Sequence, residues 1–249
     1  MGDDKVNTAE PDSNIDDLPS DEAIRRTEKY VLLDRHGRTH TFLSLYSGHN
    51  VARRVLVVFV RHFFCGNCQE FLRSLSDAVT PDALLALPTS TFIVVIGCGD
   101  PALIQMYADA TGCRFPIYTD PKGSLYDELG MVKTLALGDR PAYMRKSMTK
   151  GIVDSIGQAL RSVPSGLALK SGDHRQVGGE FLFVPFKDRV GTPTTEEGGE
   201  DKEEVEEERK RVSWCHRMRT TRDHAEIAEI IDVLGLGKDA AEEDGSTAA

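Results

Sequence analysis

No apolar stretch in this sequence reaches the length of a bilayer span; the longest runs, around Val55–Val60 and Phe92–Ile96, are strand-sized, so no membrane partner is expected. An excess of basic charge is also missing. Thirty Lys and Arg stand against 40 Asp and Glu, a formal net charge of -10, which argues against a generally basic nucleic-acid binder. The N-terminal Met1-Gly-Asp-Asp-Lys5 has neither the apolar core of a secretory signal nor the Arg-rich character of a transit peptide. The 5 cysteines are odd in number and do not read as a secreted disulfide framework, so a cytoplasmic protein is expected. Self-similarity with a period of roughly 20–50 residues is absent, which excludes a repeat array. Aromatic residues are sparse at 7%, but 40% hydrophobic residues in 249 suffice for one sizeable core.

Acidic residues, by contrast, are abundant and clustered. Residues 1–19, 191–208 and 238–249 carry net charges of -5, -8 and -3, leaving +6 on the remaining 200 residues. All three segments are poor in large apolar side chains and cannot offset the entropy of ordering. They are expected to be disordered: two tails and an acidic insert around one domain spanning 20–237. The insert reads either as a solvated run of like charge or as an arm that engages a partner.

Between these segments the pattern alternates. Ser20 or Asp21 caps a short first helix, with acids in its first turn. Tyr30–Leu33 and His40–Leu43 flank Asp34–Gly37 as a hairpin. Arg54–Val60 is a continuous apolar, β-branched run, as in a parallel strand covered on both faces. Cys68–Val79 carries Phe71, Leu72, Leu75, Ala78 and Val79 at helical spacing. Thr91–Ile96 is a second buried strand, Pro101 opens a helix, Phe115–Tyr118 is a third strand, and Ser124–Leu129 is a helix stopped by Gly130. Ile152, Val153, Ile156, Leu160 and Val163 suggest an amphipathic helix. Glu180–Phe186 and Arg211–Cys215 form a late hairpin whose tip carries the acidic insert, and Asp223–Leu234 is the last helix. The order β-α-β-α-β, then hairpin, then helix predicts an α/β three-layer sandwich with a mixed central sheet.

Arg61-His-Phe-Phe-Cys65-Gly-Asn-Cys68 is the sharpest feature, placed where a buried strand gives way to a helix. At a helix N-terminus, free backbone N–H groups and the helix dipole favour a thiolate on Cys65, and Arg61 and His62 are expected to add positive potential. The thiolate is the nucleophile in disulfide exchange and in peroxide reduction, and the two-residue gap lets Cys68 resolve the product. The bland alternatives are an inert buried pair or half of a zinc site. A structural zinc site would want a second pair of ligands at short spacing, which Cys98, Cys113 and Cys215 do not supply. Cys98 follows the next strand and reads as a small buried hydrophobe or an accessory thiol. Cys113 carries no signal, and either Cys215 or His216 faces the core.

Gly97-Cys-Gly99-Asp-Pro-Ala102, with Asp120 at the end of the following strand, fits the loose dinucleotide fingerprint. Pro101 lacks an N–H where a pyrophosphate needs donors, so the motif is read as a tight strand-to-helix turn. No cofactor and no metal are expected.

The order of elements resembles the thioredoxin superfamily, and more closely the peroxiredoxin-like 2 group with its AhpC/TSA antioxidant-enzyme domain. Four stretches carry the resemblance: Val57–Cys68; Phe115–Pro121 with Tyr126, Leu129 and Gly130; Gln176–Phe181; and Trp214–Arg219 with Asp223 and His224. It implies a thioredoxin-like sandwich and a thiol oxidoreductase with antioxidant activity. It also implies a small peroxide or disulfide as substrate and a reduced thioredoxin-like or glutathione-like electron donor. Arg217 matches a late-strand arginine that in peroxiredoxins lies near the active cysteine and polarises the peroxide. The sequence departs from the peroxiredoxin P-x-x-x-T-x-x-C pattern: Arg61 stands in the Pro place and Cys65 in the Thr place. Aligned on Cys65 instead, the match is to thioredoxin's C-G-P-C, with Asn67 replacing Pro and Gly178-Gly179 where thioredoxin has a cis-Pro.

The expected site is thus Cys65 as an exposed nucleophile, Cys68 as the resolving thiol, and Arg61 and Arg217 as the groups that stabilise the thiolate and orient the oxidant. The competing reading is a non-catalytic thioredoxin-fold module that binds a partner through its acidic insert. Sulfurs sealed beneath neighbouring side chains, or pointing apart on a non-helical loop, would remove the enzymatic assignment and leave only that second reading.

Overall fold

Two β-branched runs build the centre of the sheet. In the computed structural model, which describes residues 17–144, 166–187 and 208–237, Arg54–Phe59 (β3) and Thr91–Gly97 (β4) pair in parallel from Arg54 opposite Thr91 to Phe59 opposite Ile96. Ile117–Thr119 (β5) adds in parallel to β4. The hairpin Val31–Leu33 (β1) and Thr39–Thr41 (β2) closes that side, antiparallel at Leu33 and Thr119. On the other side Gly179–Lys187 (β6) runs antiparallel to β3 and carries Glu208–Arg217 (β7). The described order is β2-β1-β5-β4-β3-β6-β7.

Side-chain alternation along these strands separates two cores. Leu56, Val58, Ile93, Val95 and Leu182 face one side, where Gly66–Ala78 (α3), Pro81–Leu85 (α4), Ile104–Thr111 (α5) and Ile227–Leu234 (α7) supply Phe71, Leu75, Leu84, Tyr107, Ile230 and Leu234. Val55, Val57, Phe59, Ile96, Phe181 and Phe183 face the other. There Asp21–Thr27 (α1), Phe42–Tyr46 (α2) and Ser124–Glu128 (α6) supply Ile24, Phe42, Tyr46, Leu125 and Tyr126. The molecule is the expected mixed sheet between helical layers, the thioredoxin-like arrangement.

Several boundaries differ from expectation. His40–Leu43 is not a strand throughout: β2 ends at Thr41, whose hydroxyl accepts the Ser44 N–H at 3.3 Å and starts α2. The short helix α4, capped by Thr80 with Pro81 in its first turn, was not anticipated. The last helix begins at Ile227 rather than Asp223. The Asp223 carboxylate instead accepts the Arg219 N–H at 2.7 Å, and His224 is drawn into the core. Glu208 belongs to β7 rather than to the acidic insert. The remainder of that insert, residues 1–16 and 238–249 of the expected tails, and the Ile152–Val163 helix lie outside the described residues. No helix among the described residues is long and apolar enough to cross a membrane.

Glycine is required where backbones meet. A Cβ on Gly178, just before β6, would sit 1.8 Å from the Phe59 carbonyl oxygen at the end of β3. A Cβ on Gly97 would sit 2.4 Å from the Phe63 ring. The glycines of the loose nucleotide fingerprint therefore make room for the turn that leads into the cysteines.

Candidate active site

β3 delivers the chain to the edge of the sheet, and Arg61–Phe64 turn it into α3. Cys65 occupies the N-cap of that helix, with extended backbone (φ -76°, ψ 106°), and its sulfur accepts the Cys68 N–H at 3.4 Å. This is the place of a capping side chain, filled by sulfur. Arg61 is buried and bridges both cysteines. Its Nη1 donates to Cys65 Sγ at 3.3 Å, and its backbone N–H donates to Cys68 Sγ at 3.4 Å. The same guanidinium donates from Nε to the Gln176 carbonyl at 3.1 Å and from Nη2 to the His174 carbonyl. The 171–176 segment is thereby tied over the site.

The two thiols are unequal. The Cys68 thiol hydrogen-bonds Cys65 and lowers its pKa against the opposing effect of burial; the Arg61 charge and the Cys68 N–H lower it further. Burial, and then the neighbouring Cys65, push the Cys68 thiol well above the ordinary range. Both are free thiols. The arrangement favours the thiolate on Cys65 and the protonated form on Cys68.

Three expectations are corrected. Cys65 is not exposed: it retains 4% of its surface and Cys68 none. The turn Arg61–Phe64 and the tethered 171–176 segment enclose a cap that an isolated helix would leave open. His62 adds no positive potential near neutral pH. Burial, then the facing His174 and the Arg61 charge, lower its pKa to about 3, and its Nδ1 has no hydrogen-bond partner. Arg217 is not beside the thiols but lies on the opposite face of the sheet. Its guanidinium covers the Phe181 ring at 5.3 Å and donates to the carbonyls of Leu129 at 2.7 Å and Asp17 at 2.8 Å. Strand parity explains this, because Cys215 and Arg217 share one face of β7, and Cys215 is core on the side of Phe181.

Of the other cysteines, Cys98 is buried at the end of β4, and burial raises its thiol. Cys113 is half-buried, with its S–H toward the Phe115 carbonyl at 3.6 Å.

Two residues at the site were not expected there. His224 places Nε2 3.3 Å from Cys68 Sγ and Nδ1 2.6 Å from Glu180 Oε1, and both side chains of the His–Glu pair are fully buried. The Ala225 N–H donates to Glu180 Oε2 at 3.3 Å. The Phe71 ring stacks on the imidazole at 4.1 Å, with 6° between the planes. A signal did exist. An acid inside a core strand must find a partner, and Glu180 sits between Gly179 and Phe181 in such a strand. Cys68, His224 and Glu180 run in a line through the imidazole rather than converging on a point. No group of three or more His, Cys, Asp or Glu among the described residues is arranged to hold a metal ion.

The fold is a thioredoxin-like sandwich with a C-x-x-C at the N-cap of its first long helix. The chain resembles the AhpC/TSA and peroxiredoxin-like 2 proteins. The AhpC/TSA antioxidant enzyme model matches residues 74–190, a stretch that begins inside α3 just after both cysteines. Peroxiredoxin-like 2C of Mus musculus and of Homo sapiens are each 27% identical over 207 residues, covering 82% of this chain and 77% of theirs. Among solved structures, a cysteine-to-serine mutant of Xanthomonas campestris peroxiredoxin Q aligns at 15% identity and TM-score 0.42, over 90% of this chain and 97% of that one.

Proposed function

We propose that this protein is a thiol-dependent oxidoreductase that reduces a small peroxide or disulfide, with Cys65 attacking and Cys68 resolving. The observation that carries this reading is the charge environment of Cys65. A buried guanidinium and a second thiol both hydrogen-bond one sulfur at a helix N-cap, whereas an inert buried thiol has no use for a cation. The relatives' names, peroxiredoxin-like 2C, and the antioxidant-enzyme description of the matched family agree with it.

With a disulfide, the Cys65 thiolate attacks one sulfur and a thiolate leaves. Cys68 then attacks Cys65, forming the Cys65–Cys68 disulfide and releasing the second thiol. With a hydroperoxide, Cys65 takes the terminal oxygen as a sulfenic acid while an alcohol or water leaves, and Cys68 then attacks the sulfenic sulfur, breaking its S–O bond and releasing water. Two electrons pass to the substrate in each case. A reduced thioredoxin-like or glutathione-like thiol donor returns them. The near-closure of Cys65 favours small oxidants, or opening of the 171–176 segment that Arg61 holds. A reducing compartment such as the cytoplasm keeps the pair as free thiols between turnovers, and the 20–237 domain carries the whole reaction.

Intact mass after dilute hydrogen peroxide or glutathione disulfide, followed by alkylation, tests this. The wild type should lose two alkylatable thiols, and Cys65→Ser should abolish turnover. A Cys65 that stays alkylatable, with turnover unchanged in Cys65→Ser, overturns the proposal.

The burial of both sulfurs favours a second reading, an interaction module that uses residues 191–208. Pull-downs with and without those residues separate the two: loss of partners while thiol reactivity is unaffected favours the module.

A further inference from the structure

The resolving step poses a physical problem. Cys68 is wholly enclosed, and a thiolate there is disfavoured by the loss of water. Only the thiolate attacks. In the resting pair the Cys68 proton points to the Cys65 thiolate. Once Cys65 carries an oxygen or a substrate sulfur, it no longer draws that proton, and the His224 Nε2 at 3.3 Å is the acceptor in reach.

We propose that His224 is the general base that takes the Cys68 proton as Cys68 closes on oxidised Cys65, and that Glu180 is the positioning residue that keeps the imidazole in the accepting form. The inference rests on Cys65 being the attacking thiol.

The hydrogen bonds dictate the tautomer. Glu180 accepts the Ala225 N–H on Oε2, and an ionised carboxylate only accepts, so the Nδ1 at 2.6 Å from Oε1 carries the hydrogen. In the neutral imidazole with its hydrogen on Nδ1, Nε2 carries the lone pair and faces Cys68. When it takes the proton, the positive imidazolium lies against the Glu180 carboxylate, and no isolated charge is left in the core. Phe71 covers one ring face and keeps water from competing.

Other titratable groups around the ring leave this path clear. Tyr143 donates its hydroxyl to the Arg222 carbonyl at 3.1 Å, and burial pushes its pKa up. Tyr107 on α5 is likewise pushed up by burial. On the His224 segment, Asp223 accepts the Arg219 N–H and Glu226 accepts the Ala142 N–H at 2.8 Å. Cys65 and Arg61 lie beyond Cys68.

The step balances. His224 removes H⁺ from Cys68 S–H, Cys68 sulfur bonds Cys65 sulfur, and the leaving thiolate or hydroxide departs with the Cys65–S or S–O electron pair. The proton on His224 then completes that leaving group as thiol or water.

Rapid mixing of reduced protein with glutathione disulfide, acid quench and mass spectrometry resolves adduct formation on Cys65 from disulfide closure. Measured from about pH 5 to 9, wild-type closure should rise to a plateau. His224→Gln should accumulate the Cys65 adduct and close on the order of 100-fold more slowly at neutral pH, climbing about tenfold per pH unit. Glu180→Gln should lie between. Circular dichroism checks that the variants fold, and if His224→Gln does not, the wild-type profile decides. A wild-type closure rate that climbs tenfold per unit throughout, or a folded His224→Gln with the wild-type rate and profile, overturns the relay while leaving Cys65 chemistry intact. No adduct on Cys65 in any form overturns the relay and the thiol reading together.

Discussion

At the scale of single residues, Arg61 is the side chain on which the site turns. It reaches the attacking sulfur with its guanidinium and the second sulfur with its main chain. Replacing it by Met keeps much of the packing and removes the charge. The Cys65 alkylation midpoint should move up, and alkylation near neutral pH should slow by about tenfold, read from the pH profile of iodoacetamide labelling. The same change releases the His174 and Gln176 carbonyls, so amide exchange in the 171–176 segment should accelerate. The sequence placed Arg61 and the cysteines correctly in one motif because separations of 4 and 7 residues confine them to one turn. It misplaced Arg217 because a one-residue step along a strand reverses the face.

Elements meet the site through backbone contacts that leave no slack. Gly178 touches the Phe59 carbonyl where β6 enters beside β3. Gly178→Ala should separate those strands and cost more than about 3 kcal/mol, which urea unfolding would measure. Arg54, at the opposite end of β3, donates to the carbonyls of Val233 at 2.7 Å and Leu234 at 3.1 Å, the last turn of α7. Its positive charge suits a helix C-terminus. Arg54→Ala should cost about 1–2 kcal/mol by the same measurement and fray that turn. Strand existence was legible here from β-branched runs, whereas the starts of α2 and α7 were not. The Thr41 hydroxyl caps α2, and Glu180 holds His224 and the Ala225 N–H just ahead of α7, hydrogen bonds that periodicity does not encode.

The whole molecule carries buried ionisable groups whose titration couples to folding. His62 has a folded pKa of about 3 against roughly 6.5 unfolded. Below about 6.5 the unfolded state binds the proton that the folded state refuses, so stability falls with acid down to the folded value and is flat above the unfolded one. Chemical denaturation from pH 7 to 4 should show a loss on the order of a few kcal/mol. His62→Phe should flatten that slope if the ring is accommodated beside His174. Leu56 is wholly buried in the central strand. Leu56→Ala should cost about 2–5 kcal/mol at every pH, which separates packing from titration.

By itself the sequence determined the alternation of strands and helices, the mixed sheet, and the position of two sulfurs at the start of a helix. These depend on local periodicity and on neighbours close along the chain. Only the tertiary structure decided that Cys65 is nearly enclosed, that Arg217 faces away, and that Cys68 meets His224 and Glu180. Those contacts join residues 156 and 44 positions apart. Sheet pairing and strand parity, not spacing, bring such distant side chains together.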